Sequence, residues 1–117
     1  MGSMVIHIGS DHRGFELKRY LKSALTEAGY TVNDVGPAAY VEDDDYPDAA
    51  RIVGEKVSID FERSRGVLLC GSGVGVSVVA NKYPNVRAAL VTTANQAFDS
   101  RNDDDANILC LPVNYLE

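Results

Sequence analysis

The chain has no long apolar run. None of its apolar stretches approaches the ~20 residues that a membrane-spanning helix needs, and no signal peptide is visible. Cysteine is scarce. Cys70 and Cys110 are the two in 117 residues, both inside apolar runs and without metal-type spacing around them. That excludes a disulfide framework and points to a reducing, cytoplasmic compartment. Basic residues are not in surplus: 11 Lys and Arg stand against 17 Asp and Glu, for a net charge of −6. A nucleic-acid binder needs a basic face for the phosphate backbone, so this balance argues against that class. Neither nucleic acid nor a membrane is an expected partner. A local pocket for one phosphate remains compatible. Internal repeats and interdomain linkers are missing, and the length suits one domain. Residues 1–3 read as a vector-derived leader ahead of a single domain over 4–117.

What the chain does contain is alternation. Val5-Ile6-His7-Ile8-Gly9 reads as a first strand. Leu17, Tyr20, Leu21, Ala24, Leu25 and Ala28 then recur at helical spacing, and Gly29 stands where a C-terminal cap belongs. Thr31 to Gly36 reads as a second strand. A loop with Glu42-Asp43-Asp44-Asp45 follows, read as a solvated acidic run rather than a metal site, because no His or Cys stands beside it. A second helix opens near Tyr46-Pro47 and should bury Ala49, Ile52, Val53 and Val57. Gly66 to Cys70 is an unbroken apolar strand, as in a parallel sheet covered on both faces. The turn Gly71-Ser72-Gly73-Val74-Gly75 leads into a third helix, stopped by Pro84. Ala88 to Val91 reads as strand four, Thr93 to about Asn102 as helix four, and Ile108 to Leu111 as strand five. This β-α order predicts an α/β fold: a three-layer, Rossmann-like, five-stranded parallel sheet with helices on both faces. One face should be incompletely covered, because no helix follows strand five.

Ligands of open α/β sheets bind beyond the carboxyl ends of the strands. Gly9-Ser10-Asp11-His12, the Cys70–Gly75 turn and Arg101 to Asn107 are expected to converge there. The glycines allow successive amides to point into one concavity at a helix start, an anion site or a plain tight turn. It is not a Walker A loop, lacking the Lys-Ser/Thr pair, and the G-x-G-x-x-G spacing is absent. Cys70, directly before the turn, is either a buried strand cysteine or a thiol activated by nearby donors. Asp11 could bind a sugar hydroxyl or cap the first helix. His7 reads as a core histidine, and Cys110 as a buried one.

With these motifs placed, the chain resembles the type B ribose-5-phosphate isomerases and galactose-6-phosphate isomerases. The resemblance runs from about Val5 to Leu111. It is carried by Gly9 to Lys18, Asp45-Tyr46-Pro47-Asp48, Leu69 to Ser77, Ala80-Asn81-Lys82, Val86 to Leu90 and Asp105-Ala106-Asn107. It implies a cofactor-free, metal-free aldose–ketose isomerase of a phosphorylated pentose or hexose. Cys70 would be the general base at C2. Amides of Gly71, Gly73, Val74 and Gly75 would hold the enediolate, and Ser72 would relay a proton. Asp11, His12, Tyr46 and Asp104 would bind substrate. A homodimer is implied, with a tetramer as the alternative.

Three departures accompany the resemblance. Asp103 stands where many relatives carry the histidine that opens the sugar ring, so Asp103 is the candidate for that step. Asn114 stands where relatives carry an arginine. The C-terminal helices that supply phosphate-binding arginines are absent, which predicts poor phosphate affinity. A non-catalytic sugar-phosphate or nucleotide-binding module, or an inactive core, on the same scaffold is the competing reading.

Overall fold

The computed structural model describes residues 4–36 and 46–116, with the side chains of Tyr46 and Pro47 outside that description. The acidic run Glu42 to Asp45 lies outside the described residues. Strands and helices alternate as expected: β1 (Val5–Ser10), α1 (Phe15–Glu27), β2 (Thr31–Asp34), α2 (Tyr46–Ile59), β3 (Ser64–Cys70), α3 (Val74–Ala80), β4 (Ala88–Leu90), α4 (Ala94–Asp104) and β5 (Ile108–Pro112). Short 3-10 turns follow β1 at His12–Gly14 and β5 at Val113–Tyr115.

The strands form one sheet in the order β2-β1-β3-β5-β4, every neighbouring pair parallel. Right-handed crossovers put α1 and α4 on one face and α2 and α3 on the other. The chain leaves β1 toward one edge of the sheet and leaves β3 toward the other. The switch point therefore falls between β1 and β3, where Ser10 is in register with Leu69.

The main core lies under α2 and α3. Ala50, Val53 and Val57 of α2 and Val76 and Ala80 of α3 pack on Leu68, Cys70, Ile108 and Cys110. Each fully buried valine or leucine there contributes about 1.5–3 kcal/mol. The strand period decides which residues take part. Ile108, Cys110 and Pro112 of β5 are buried, while Leu109 and Leu111, on the opposite face, are only half-buried. α4 buries none of its residues. The incompletely covered face expected from the sequence is this one. Among the described residues no helix is long and apolar enough to cross a membrane.

The predicted boundaries hold to within a few residues, and the predicted faces hold less well. α1 ends as expected around Gly29, where the Tyr30 N–H closes back onto the Leu25 carbonyl at 3.1 Å. Its predicted apolar face is not its buried face, however. Tyr20 is 69% exposed, Ala24 and Ala28 are exposed, and Leu17, Leu21 and Leu25 are half-buried. Phe15 and Lys18 are buried instead. Lys18, 1% exposed, donates to Asp34 Oδ1 at 3.0 Å, so its charge is matched where it is buried. On α2, Ile52 is exposed and Ala50 takes the expected core place. His7 is a core histidine, with its Nδ1 2.9 Å from Asn33 Nδ2. Burial, with the charge of Lys56, lowers its pKa.

Candidate active site

β1 and β3 end side by side, and their last residues bring the first two sequence motifs together. The Asp11 N–H donates to the Leu69 carbonyl at 3.2 Å, which ties the Asp11–His12 turn to the end of β3. β5 ends beside them, with Pro112 in register with Cys70. The Asn114 N–H then donates to the Gly71 carbonyl at 2.9 Å. Three strand ends thus meet in one crevice.

Cys70 is the last residue of β3, and strand alternation turns its side chain toward α2 and α3. It is 4% exposed, and its Sγ accepts the Gly73 N–H at 3.2 Å. An amide donor aimed at sulfur is a fitting partner for a thiolate base. The turn makes this contact because Gly73 has φ +75°. A side chain in that left-handed conformation is strained, and a Cβ here would also run into Leu90 Cδ1 and the Pro112 backbone. The Val74 N–H is also engaged, donating to Ser72 Oγ at 3.3 Å. The amides of Gly75 and Val76, in the first turn of α3, have no partner within the helix, as at any helix start. Cys110, by contrast, is fully buried, and burial, with Cys70 nearby, pushes its thiol up to about 12.

Asp11 caps the 3-10 turn. Its Oδ1 accepts the N–H groups of Arg13 at 3.0 Å and Gly14 at 3.2 Å, so the capping role is real. Its second oxygen makes no hydrogen bond among the described residues. His12 is half-buried beside it. Tyr46 opens α2, but its side chain lies outside the described residues.

The stretch before β5 does not join this crevice within one chain, contrary to the convergence expected from the sequence. Helices of a parallel β/α fold run back against the strands, so the end of α4 arrives at the amino edge of the sheet. Asp104 is held there, its carbonyl accepting Arg87 Nε at 2.6 Å just before β4. Asp103 is exposed, with its Oδ1 bonded to the Asn102 amide at 3.0 Å. Among the described residues no group of three or more His, Cys, Asp or Glu side chains is placed to hold a metal ion. A groove of about 730 Å³ lies elsewhere, lined by Lys18, Lys22, Thr26 and Asp34. Its lysines are paired with Asp34 and it is lined by neither a cysteine nor a glycine turn, so the Cys70 crevice is the better candidate.

Residues 6–117 match the family model described as Ribose/Galactose Isomerase. The chain belongs to this family. It is 41% identical to the probable ribose-5-phosphate isomerase B of Mycoplasma genitalium, over 97% of this chain and 75% of that one. The crystal structure of ribose-5-phosphate isomerase B from that organism with bound ribulose-5-phosphate superposes with a TM-score of 0.95 at 40% identity. It covers all of this chain, which spans 77% of the crystallised one. A 4-deoxy-4-sulfo-D-erythrose isomerase of Clostridium sp. (strain MSTE9) is 38% identical over 92% of this chain and 67% of its own length. The family fold expected from the sequence is thus the fold found. One feature of the crevice was not legible beforehand: the Arg13 guanidinium and the Asn114 amide both lie against Gly71.

Proposed function

We propose that this chain interconverts an aldose and a ketose phosphate, with ribose 5-phosphate and ribulose 5-phosphate as the leading pair and Cys70 as general base. The Cys70 thiolate removes the C2 proton of the open-chain aldose. The electron pair moves onto the C1 carbonyl oxygen, giving the enediolate. The proton returns at C1, and Ser72 passes a proton between the two oxygens. The Gly73 and Val74 amides, expected to hold the enediolate, are already engaged by Cys70 Sγ and Ser72 Oγ, so the Gly75 amide at the start of α3 is the donor left to meet the developing anion, where preorganised donors act most strongly. Asp11 and His12 hold the sugar from the end of β1, with Tyr46 lining the pocket. The carrying observation is the 3.2 Å Gly73 N–H to Cys70 Sγ contact at the switch-point crevice. The chemistry needs no cofactor.

Asp103 and Asp104 sit at the far edge of the sheet from Cys70. They enter the same site only from a second copy, so a homodimer is part of the proposal, with Asp103 as the acid–base group for ring opening. Exposed Val74, Val78, Leu90 and Phe98, on α3, β4 and α4, provide apolar surface for such an interface. Two free cysteines fit a cytoplasmic setting.

The test is turnover of ribose 5-phosphate, hexose 6-phosphates and 4-deoxy-4-sulfo-D-erythrose by the chain and by Cys70→Ala. Removing a general base should cost about 10²–10⁴-fold in kcat. Full activity in Cys70→Ala eliminates the assignment of the base. Binding without turnover in the unaltered chain favours the non-catalytic module.

A further inference from the structure

The turn that supplies the amide donor to Cys70 cannot pack itself in place. Gly73 has φ +75° and no side chain, so its own conformation is loosely held. Two neighbours confine it instead. A Cβ built there would meet Leu90 Cδ1 and, at 3.2 and 3.3 Å, the N and Cα of Pro112. The Pro112 wall is main chain, fixed by the pairing of β5 with β3. The Leu90 wall is a side chain, and no step of the proposed reaction uses it.

Leu90 ends β4, a three-residue strand at the edge of the sheet. Asn81, the C-cap of α3, holds that strand twice at Ala88. Its Oδ1 accepts the Ala88 N–H at 2.8 Å, and its Nδ2 donates to the Ala88 carbonyl at 3.0 Å. Just past Leu90, the Val91 N–H donates to the Cys110 carbonyl at 3.1 Å, and Val91 is buried. β4 therefore touches α3 at both caps, Asn81 through Ala88 and Gly73 through Leu90. Leu90 is 43% exposed, so core burial does not account for its place.

We propose that Leu90 is a positioning residue for the candidate base: seated on Gly73, it keeps the Gly73 N–H aimed at Cys70 Sγ. Its bearing on turnover rests on the isomerase reading above, whereas its bearing on the sulfur rests on geometry alone. The N–H···S contact of 3.2 Å weakens steeply once the donor tilts away. The peptide unit entering Gly73 has little to resist such a tilt except packing. Groups held for catalysis need this support from neighbours that do not touch the substrate.

Leu90→Ala opens space beside Gly73, and because the side chain is part-exposed the chain should still fold. kcat for ribose 5-phosphate should fall about 10–100-fold, with KM changed far less. Cys70 alkylation by iodoacetamide against pH, followed by peptide mass spectrometry, is the second readout and needs no turnover. A lost amide donor disfavours the thiolate, so the alkylation midpoint in Leu90→Ala should move up by about 0.5–1 pH unit. Leu90→Met refills the space and should recover most of both losses. Val78→Ala removes another exposed apolar side chain, from α3, and should leave the midpoint where it is. A raised midpoint in Leu90→Ala, in a chain that turns over no sugar phosphate, would support the positioning role while sinking the catalytic reading. An unchanged midpoint in Leu90→Ala would overturn the proposal whatever happens to turnover. An equal rise in Val78→Ala, or no recovery in Leu90→Met, would overturn it as well.

Discussion

Replacing Gly73 by alanine strikes the fold and the candidate base together. Gly73 has φ +75°, a left-handed conformation that costs an ordinary L-residue about 1–2 kcal/mol. The new methyl also has no free space. Leu90 Cδ1 is in its way, but that side chain is part-exposed and can turn aside. The Pro112 backbone cannot. Its N and Cα would lie 3.2 and 3.3 Å from the methyl, with β5 held in register against β3. Overpacking of this kind costs about 1–3 kcal/mol. The two contributions together predict a loss of about 2–5 kcal/mol, read as a lower urea midpoint at unchanged m-value. In thermal melts that is a fall on the order of 10–20 °C. Any relief of the strain rotates the turn and moves the Gly73 N–H off Cys70 Sγ, so kcat should fall as well. A variant within about 0.5 kcal/mol of the parent, with undiminished kcat, would refute both the strained turn and the role of its amide.

Two further expectations concern ionisable groups. Burial opposes ionisation of Asp34, but hydrogen bonds from Lys18 and the Gly36 amide, with the charges of Lys18 and Lys22, outweigh it and hold its pKa below the ordinary 3.8. The stability this carboxylate contributes is therefore complete above 3.8 and is lost as pH falls through the lower folded value. The stability gap between the parent chain and Asp34→Asn should be flat from about pH 5 to 7 and close below about pH 4; a gap that widens on acidification contradicts the pairing. For Cys110, with its thiol pushed up to about 12, native-state alkylation at neutral pH should be negligible while Cys70 is modified, as peptide mass spectrometry would show. Modification of Cys110 ahead of Cys70 would contradict the burial assigned to it.

What could be read in advance was local. Apolar periodicity and turn residues act over a few positions, so Gly29, Pro47 and the Gly71–Gly75 turn marked element boundaries that the fold respects to within a few residues. The order of those elements was enough to require a parallel sheet, since a helix between successive strands returns the chain to the same edge. The unbroken apolar run ending in Cys70 placed that residue at the end of a central strand. The faces were harder. Helical spacing named Tyr20 and Ala24 as buried, but Lys18 is the residue turned inward, because Asp34 on β2 waits there to match its charge. No window along α1 contains that information.

The amino-acid order alone determined the alternation of elements, the parallel sheet and a cysteine set against a glycine turn, because each follows from neighbours in the chain. Tertiary structure decided which strand ends adjoin, and hence which residues share the crevice. It separated Asp103 and Asp104 from Cys70, since α4 runs back to the amino edge. It also brought Arg13 and Asn114 together at Gly71, from three segments far apart in sequence. The physical reason is that strand order and helix direction act across the whole domain, whereas sequence patterns report only the forces between near neighbours.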